Sequence, residues 1–135
     1  MKRYLLDTNT VSFLIRMQSN VVRHVANLPI GSLSISAITE GELNFGLAKR
    51  PEAKRLHLLV HEFLLRVDVV PWDRAVANRY GILRAECERA GTSLAPMDLL
   101  IAAHALALGA TLVSNDSAFR NIKNLPLVDW TQAGQ

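Results

Sequence analysis

The chain has 135 residues, 50% of them apolar and 20% charged, with a formal charge of +3 and a pI near 9.4. That composition excludes a disordered chain and suits a single domain over residues 1–135, long enough to bury a core without a disulfide or metal staple. One cysteine, Cys87, rules out an intramolecular disulfide, and the mild basic excess leans towards an acidic partner such as nucleic acid.

Residues 2–6 read as a short strand, followed by a helix over about residues 9–17. Residues 21–28 are expected to be helical, and Pro29-Ile30-Gly31 to turn. Polar and apolar residues alternate over 32–36, the two-residue period of a strand. A helix is expected over about 37–49, stopping before Pro51. Pro51-Glu52 then opens another, running to Arg66 with Leu56, Leu59, Val60, Phe63 and Leu64 on one face. Residues 67–70 make a strand that Pro71 closes. The longest helix covers 73–90, with Asp73 as N-cap and Gly91 just past its end. Pro96 starts the next helix and Gly109 stops it. Residues 111–113 form a strand, 117–121 a short helix and 127–129 a last strand.

No signal peptide is visible, because Asp7 arrives before any long apolar core has formed. The most apolar run, residues 99–108, contains His104 and is too short to span a bilayer. A soluble protein in a reducing, cytoplasmic setting is expected.

Short strands alternating with helices predict an α/β sandwich, a parallel sheet with helices on both faces. Ligands in such sheets bind outside the carboxyl ends of the strands. Asp7 directly follows the first strand, and Asp116 follows the strand at 111–113. Glu42 and Asp98 fall near the starts of helices at the same edge. Four carboxylates are therefore expected at one mouth.

Each acid also has an ordinary role. Asp7 suits an N-cap, but Thr8 and Asn9 are good caps themselves, which leaves the Asp7 side chain free to face the pocket. Thr39 and Glu42 have the spacing of a capping box. The alternation ending at Ser36 favours a helix start there instead, which puts Glu42 beyond the first turn. Asp98, in the turn opened by Pro96, complements the helix dipole by roughly 0.3–1 kcal/mol. Asp116, between a strand and a helix, reads alone as a turn or cap residue.

The combination is less ordinary. Two carboxylates about 4 Å apart repel by roughly 4 kcal/mol at an effective dielectric near 20. A cluster of them must take up protons, move apart or hold a cation. Donors that are all oxygen suit Mg²⁺ or Mn²⁺, ions that can ionise a bound water and stabilise the leaving oxygen of a phosphodiester.

Other constellations are weaker. His57 and His61, one helical turn apart, lack a third ligand and read as an exposed face. His104 stands six residues past Asp98, about 120° further round the helix, so the two share no ion. A Ser-His-Asp triad remains open on sequence alone, although no nucleophile elbow is present and no Gly-rich phosphate loop either. Cys87 reads as a small apolar filler on a helix. Arg16, Lys49, Arg50, Arg79 and Arg84 are candidates for phosphate contacts, or simply solvated surface.

Four motifs occur in order over nearly the whole chain. They are Leu6-Asp7-Thr8-Asn9; Ile35-Ser36 with Thr39, Glu42-Leu43 and Gly46; Pro96-Met97-Asp98 with Ile101-Ala102-Ala103-His104-Ala105; and Val113-Ser114-Asn115-Asp116 with Phe119. Together they resemble the PIN domain, specifically the VapC toxins of bacterial type II toxin–antitoxin pairs. The resemblance implies a PIN-like three-layer sandwich with a central, mostly parallel sheet of about five strands. It implies an Mg²⁺- or Mn²⁺-dependent endoribonuclease whose acidic site is Asp7, Glu42, Asp98 and Asp116. Asp7 and Asp98 are then the principal metal ligands, and Glu42 completes the set or orients the attacking water. Asp116 is the least secure, since members of the family often carry Asn there. Ser114 stands where the family usually has Thr and supports the site, while Asn9 is expected to hold Asp7 in place.

The same resemblance implies a homodimer and a cognate VapB-like antitoxin, joined in a toxin–antitoxin hetero-oligomer. The antitoxin's C-terminal segment lies in the toxin's groove and often presents an Arg to the acids, where a guanidinium pairs with carboxylates and competes with the metal. The pattern is closest to members that cleave structured RNA such as initiator tRNA. Two other readings compete. A phosphatase of the haloacid dehalogenase type also places an Asp after its first strand, but needs a second acid two positions on, where this chain has Asn9. A non-catalytic module that binds RNA and a partner has no need of an intact acid set.

Overall fold

The computed structural model describes residues 2–133 and centres on β1 (Tyr4–Leu6), the middle strand of a five-stranded sheet. The other strands are β2 (Leu33–Ser36), β3 (Asp68–Val70), β4 (Thr111–Val113) and β5 (Leu127–Val128). The order is β3-β2-β1-β4-β5, and every pairing is parallel. Six helices connect them: α1 (Thr8–Ile15), α2 (Ser19–Ala26), α3 (Ala37–Ala48), α4 (Lys54–Arg66), α5 (Arg74–Ala90) and α6 (Pro96–Leu108). None of these is long and apolar enough to cross a membrane.

The strand period builds the layers. Successive strand residues point to opposite faces, so Leu5 and Leu112 join one core while Leu6 and Val113 join the other. The first core packs the sheet against Val76, Leu83 and Cys87 of α5 and Ile101, Ala102 and Ala105 of α6. The second packs it against Val11, Val21, Leu43 and Val60 from α1 to α4. This is a three-layer α/β sandwich, and Cys87 is the buried apolar filler its sequence context suggests.

Local signals placed most boundaries. The Asp73 side chain accepts the Val76 N–H and caps α5, while Gly91 and Gly109 end α5 and α6 in the left-handed region, with φ of +70° and +65°. Several boundaries differ from expectation, among them α2, which runs over Ser19–Ala26 and not 21–28. Pro51 does not open α4; it occupies the second position of a turn closed by Ala53 N–H on Arg50 O at 3.1 Å, and α4 begins at Lys54. α1 stops at Ile15, and Met17 takes a left-handed φ of 63° before Gln18 caps α2 through the Val21 N–H. Residues 29–31 are no simple turn, because Ile30–Ser32 forms a 3₁₀ helix; Ser117–Asn121 is also 3₁₀.

The strand order reverses at β1: β2 and β3 lie to one side of it, β4 and β5 to the other. The crevice of such a sheet opens at the carboxyl ends of the two strands flanking that switch, here β1 and β4. The Asp7 N–H donates to Val113 O at 3.1 Å, carrying the pairing one residue past the strands and fixing Asp7 at that edge.

Candidate active site

Asp7 is the N-cap of α1, contrary to the expectation that Thr8 and Asn9 relieve it of that duty. The helix begins one residue earlier than its pattern suggests, so Asp7 holds the capping position. Its Oδ1 accepts the Thr10 N–H at 2.8 Å, and the Thr10 hydroxyl anchors the turn on Val113 O at 3.0 Å. The Ser114 hydroxyl bonds the same carboxyl. Asp7 is buried, and that burial raises its pKa; the bonds from Ser114 and Thr10 oppose the shift, and the charge of Asp116 adds to it.

Glu42 stands in the second turn of α3. Ser36 caps this helix by accepting the Ile38 N–H at 3.1 Å, so Thr39 is interior and no capping box forms. Glu42 is instead held across the mouth, where its Oε1 accepts the Thr8 hydroxyl at 2.5 Å. Thr8, expected as a cap and as part of the Leu6-Asp7-Thr8-Asn9 motif, is thereby a residue of the site. Its clue was adjacency to Asp7.

Asp98 lies in the first turn of α6, where Ala95 offers no side-chain cap. Its pKa is raised first by burial and then by Asp116, Asp7 and Glu42 in that order. One carboxylate thus feels all three others. Asp116 caps the Ser117–Asn121 helix through Ala118 N–H at 2.9 Å, the ordinary role its context suggests, yet its charge still reaches Asp7 and Asp98. Between Asp7 and Asp116 sits the buried Ser114, whose Oγ accepts the Asp116 N–H at 3.0 Å.

Asn9 does not hold Asp7. It is exposed and makes no hydrogen bond to Asp7 among the described residues; Thr10 and Ser114 hold that carboxyl instead. None of the four acids is ion-paired among the described residues, where the bridges are Arg3–Asp68, Arg66–Glu62, Arg79–Glu86 and Arg84–Glu88. No group of three acid, His or Cys side chains among the described residues is set to hold a metal ion alone. The donor set nevertheless fits a hydrated hard cation. Every donor is oxygen, the acids repel one another, and Mg²⁺ commonly keeps several waters while resting on one or two carboxylates. A closed Zn²⁺ cage, with four protein ligands, does not fit.

A groove of about 310 Å³ leads away from the acids. Thr8, Asn9 and Glu42 line one end, Ile15, Leu43, Leu47, Leu56 and Val60 give it apolar walls, and the exposed cations Arg16, Lys49 and Arg50 flank it. The histidines stay outside. The His57 ring meets Arg50 O at 2.9 Å and His61 is exposed. Ser36 and His104 do form a hydrogen-bonded pair, but both are 0% exposed, so no substrate reaches that serine and the triad reading fails.

The chain as a whole is similar to known proteins. Residues 4–125 match the family model of the PIN domain. The chain is 35% identical over 132 residues to the tRNA(fMet)-specific endonuclease VapC of Shigella flexneri, covering 97% of this chain and 100% of that one. It is 33% identical to ribonuclease VapC2 of Rickettsia felis, covering 94% and 97% of the two chains. Among solved structures it superposes on DNA-bound VapBC from Salmonella typhimurium with a TM-score of 0.88 at 35% identity, covering 96% and 99% of the chains. The VapBC2 complex of Rickettsia felis, bound to a DNA fragment from its promoter, gives a TM-score of 0.87 at 32% identity, covering 94% and 98%.

Proposed function

We propose, from the premise that the chain belongs to the PIN-domain family and is a VapC toxin ribonuclease within it, that it is an endoribonuclease dependent on Mg²⁺ or Mn²⁺ and cuts structured RNA of the tRNA class. One observation carries the reading: Asp98 senses Asp7, Glu42 and Asp116 at the switch-point crevice, and none of the four has an ion-pair partner among the described residues. When bound, the ion supplies a water of lowered pKa and neutralises charge developing on the phosphodiester. Asp7 and Asp98 hold the ion. Asp7 can do so while capping α1, because the cap engages only one of its carboxylate oxygens. Glu42, steadied by Thr8, orients the attacking water and takes its proton. Asp116 adds negative charge to the mouth, and Ser114 ties Asp116 to Asp7.

Arg16, Lys49 and Arg50 draw the RNA backbone towards the crevice, a contribution that weakens as salt rises. The tRNA class follows from the relative named for tRNA(fMet). The chain's solved relatives are VapBC toxin–antitoxin complexes, and a VapB-like antitoxin segment is the natural occupant of the groove beside the acids, with the toxin paired as a homodimer in a hetero-oligomer. The phosphatase reading has no second acid to work with, since Asn9 occupies that position.

The decisive experiment incubates the antitoxin-free protein with total tRNA in Mg²⁺ or Mn²⁺ and maps the new RNA ends. Discrete cuts are expected, abolished by EDTA and by Asp7→Ala or Asp98→Ala. Variants that cut as fast as the wild type overturn the acid site. Tight RNA binding without cutting in either metal favours the binding-module reading instead.

A further inference from the structure

The interior holds one polar link that the site described above does not use. His104 Nδ1 and Ser36 Oγ share a hydrogen bond of 2.8 Å between side chains that are both 0% exposed. Ser36 ends β2 and caps α3, while His104 sits in α6 among Ile101, Ala102, Ala103 and Ala105 of the core. The other ring nitrogen, Nε2, is buried with no partner among the described residues.

A histidine is a poor choice for packing at such a place. Burying its ring without satisfying both nitrogens costs free energy that a leucine of similar size avoids. Burial pushes the ring's pKa below the usual histidine range, opposed by Asp73 and reinforced by Arg3, so the neutral form is favoured. The bond to Ser36 is therefore the one thing a polar ring contributes here.

What that bond joins is informative. Glu42 lies six residues after Ser36 on α3, and Asp98 lies six residues before His104 on α6. Each acid stands about 9 Å of helix rise from the same link. The first turn of α6 has no side-chain cap to hold it, so Asp98 depends on how the body of the helix is seated. Among the described residues the helix's other side-chain tie, Trp72 Nε1 donating to Leu100 O at 3.1 Å, anchors it to the segment before α5 and not to α3.

We propose that the His104–Ser36 hydrogen bond positions the two acid-bearing helices, setting Glu42 of α3 against Asp98 of α6 so that the crevice is preformed for its cation. The inference rests on the metal-site reading given above. His104 touches neither substrate nor ion and is a positioning residue.

The test exploits the geometry of the ring. An asparagine amide falls near Nδ1 and can donate or accept there, whereas a glutamine amide falls near Nε2 and leaves Ser36 without its partner. Calorimetric Mn²⁺ affinity and single-turnover RNA cleavage are measured for the wild type, His104→Leu, His104→Asn and His104→Gln, with melting temperatures recorded for each. Leu and Gln are expected to weaken both quantities by about 10- to 100-fold, while Asn restores them to within roughly threefold of wild type. Wild-type values for the Leu variant overturn the inference, as does an Asn variant that falls as far as the Gln variant. If the Leu protein fails to fold, the Asn–Gln pair still decides. A wild type that neither binds Mn²⁺ nor cuts RNA overturns the metal-site reading and this inference with it. A wild type that does both, with all three variants unchanged, overturns the inference alone.

Discussion

The Thr8 hydroxyl donates to Glu42 Oε1 at 2.5 Å, joining the first turn of α1 to the second turn of α3. A glutamate side chain has three rotors, and this bond restrains freedom that Glu42 would otherwise keep. Thr8→Val keeps the shape and removes the donor. Its single-turnover cleavage should fall about tenfold or more, whereas Thr8→Ser should stay close to wild type. Equal rates for Thr8→Val and wild type would remove Thr8 from the site.

Asp7 serves the fold and the chemistry at once, so its substitutions should separate the two. Asn caps helices about as well as Asp, and Asp7→Asn retains the Thr10 bond while losing the charge. That variant should unfold in denaturant at or above the wild-type midpoint without metal, because the raised pKa of Asp7 marks its charge as opposing the fold, yet fail to cut. Asp7→Ala should fail to cut and be about 1 kcal/mol less stable than Asp7→Asn, the loss of the cap. Denaturant titrations of the two, read beside cleavage, check both halves of the expectation.

These two residues also show where a sequence stops being legible. The layers could be read from short strands alternating with helices, and the ends of α5 and α6 from Gly91 and Gly109, whose signal acts within a few residues. The meeting of four scattered acids followed from topology, since parallel strands bring their carboxyl ends to one edge. The role of Asp7 turned on a helix start displaced by one residue, finer than propensity resolves. Pro51 was ambiguous for a chemical reason: its locked φ suits both a helix N1 position and the second position of a turn. The Thr8–Glu42 and Ser36–His104 bonds span 34 and 68 residues, and no local pattern announces them.

The raised pKa of Asp98 implies a cost in the metal-free protein. A carboxyl that holds its proton more tightly folded than unfolded favours the fold at low pH; that contribution is lost as pH rises from 3.8 through the raised value. At neutral pH without metal, the charge on Asp98 therefore works against folding. Asp98→Asn should melt above wild type in EDTA at pH 7, and the gap should close as pH falls through the raised value towards 3.8. Saturating Mn²⁺ should reverse the order, stabilising only the protein that binds it. A variant that melts below wild type in EDTA would show that Asp98 is held by attractions rather than repelled by its neighbours.

Gly46 makes the groove itself testable. It lies within α3, has no left-handed φ, and a Cβ added there meets nothing within 4 Å. Nothing in the fold requires glycine at this position, and a helix interior loses roughly 0.5–1 kcal/mol by having one. Gly46→Ala should therefore stabilise the free protein by about that amount. The glycine lines the groove between Glu42 and Arg50, each one turn away along α3 and its end, so its missing side chain leaves room for whatever lies there. If that occupant is the antitoxin segment, Gly46→Leu should fold at least as stably as wild type and bind the antitoxin about tenfold more weakly, a loss of roughly 1.4 kcal/mol. Undiminished binding by the Leu variant would mean that the antitoxin reaches the acids by another path, and that the cost of Gly46 to α3 is offset by something other than its partner.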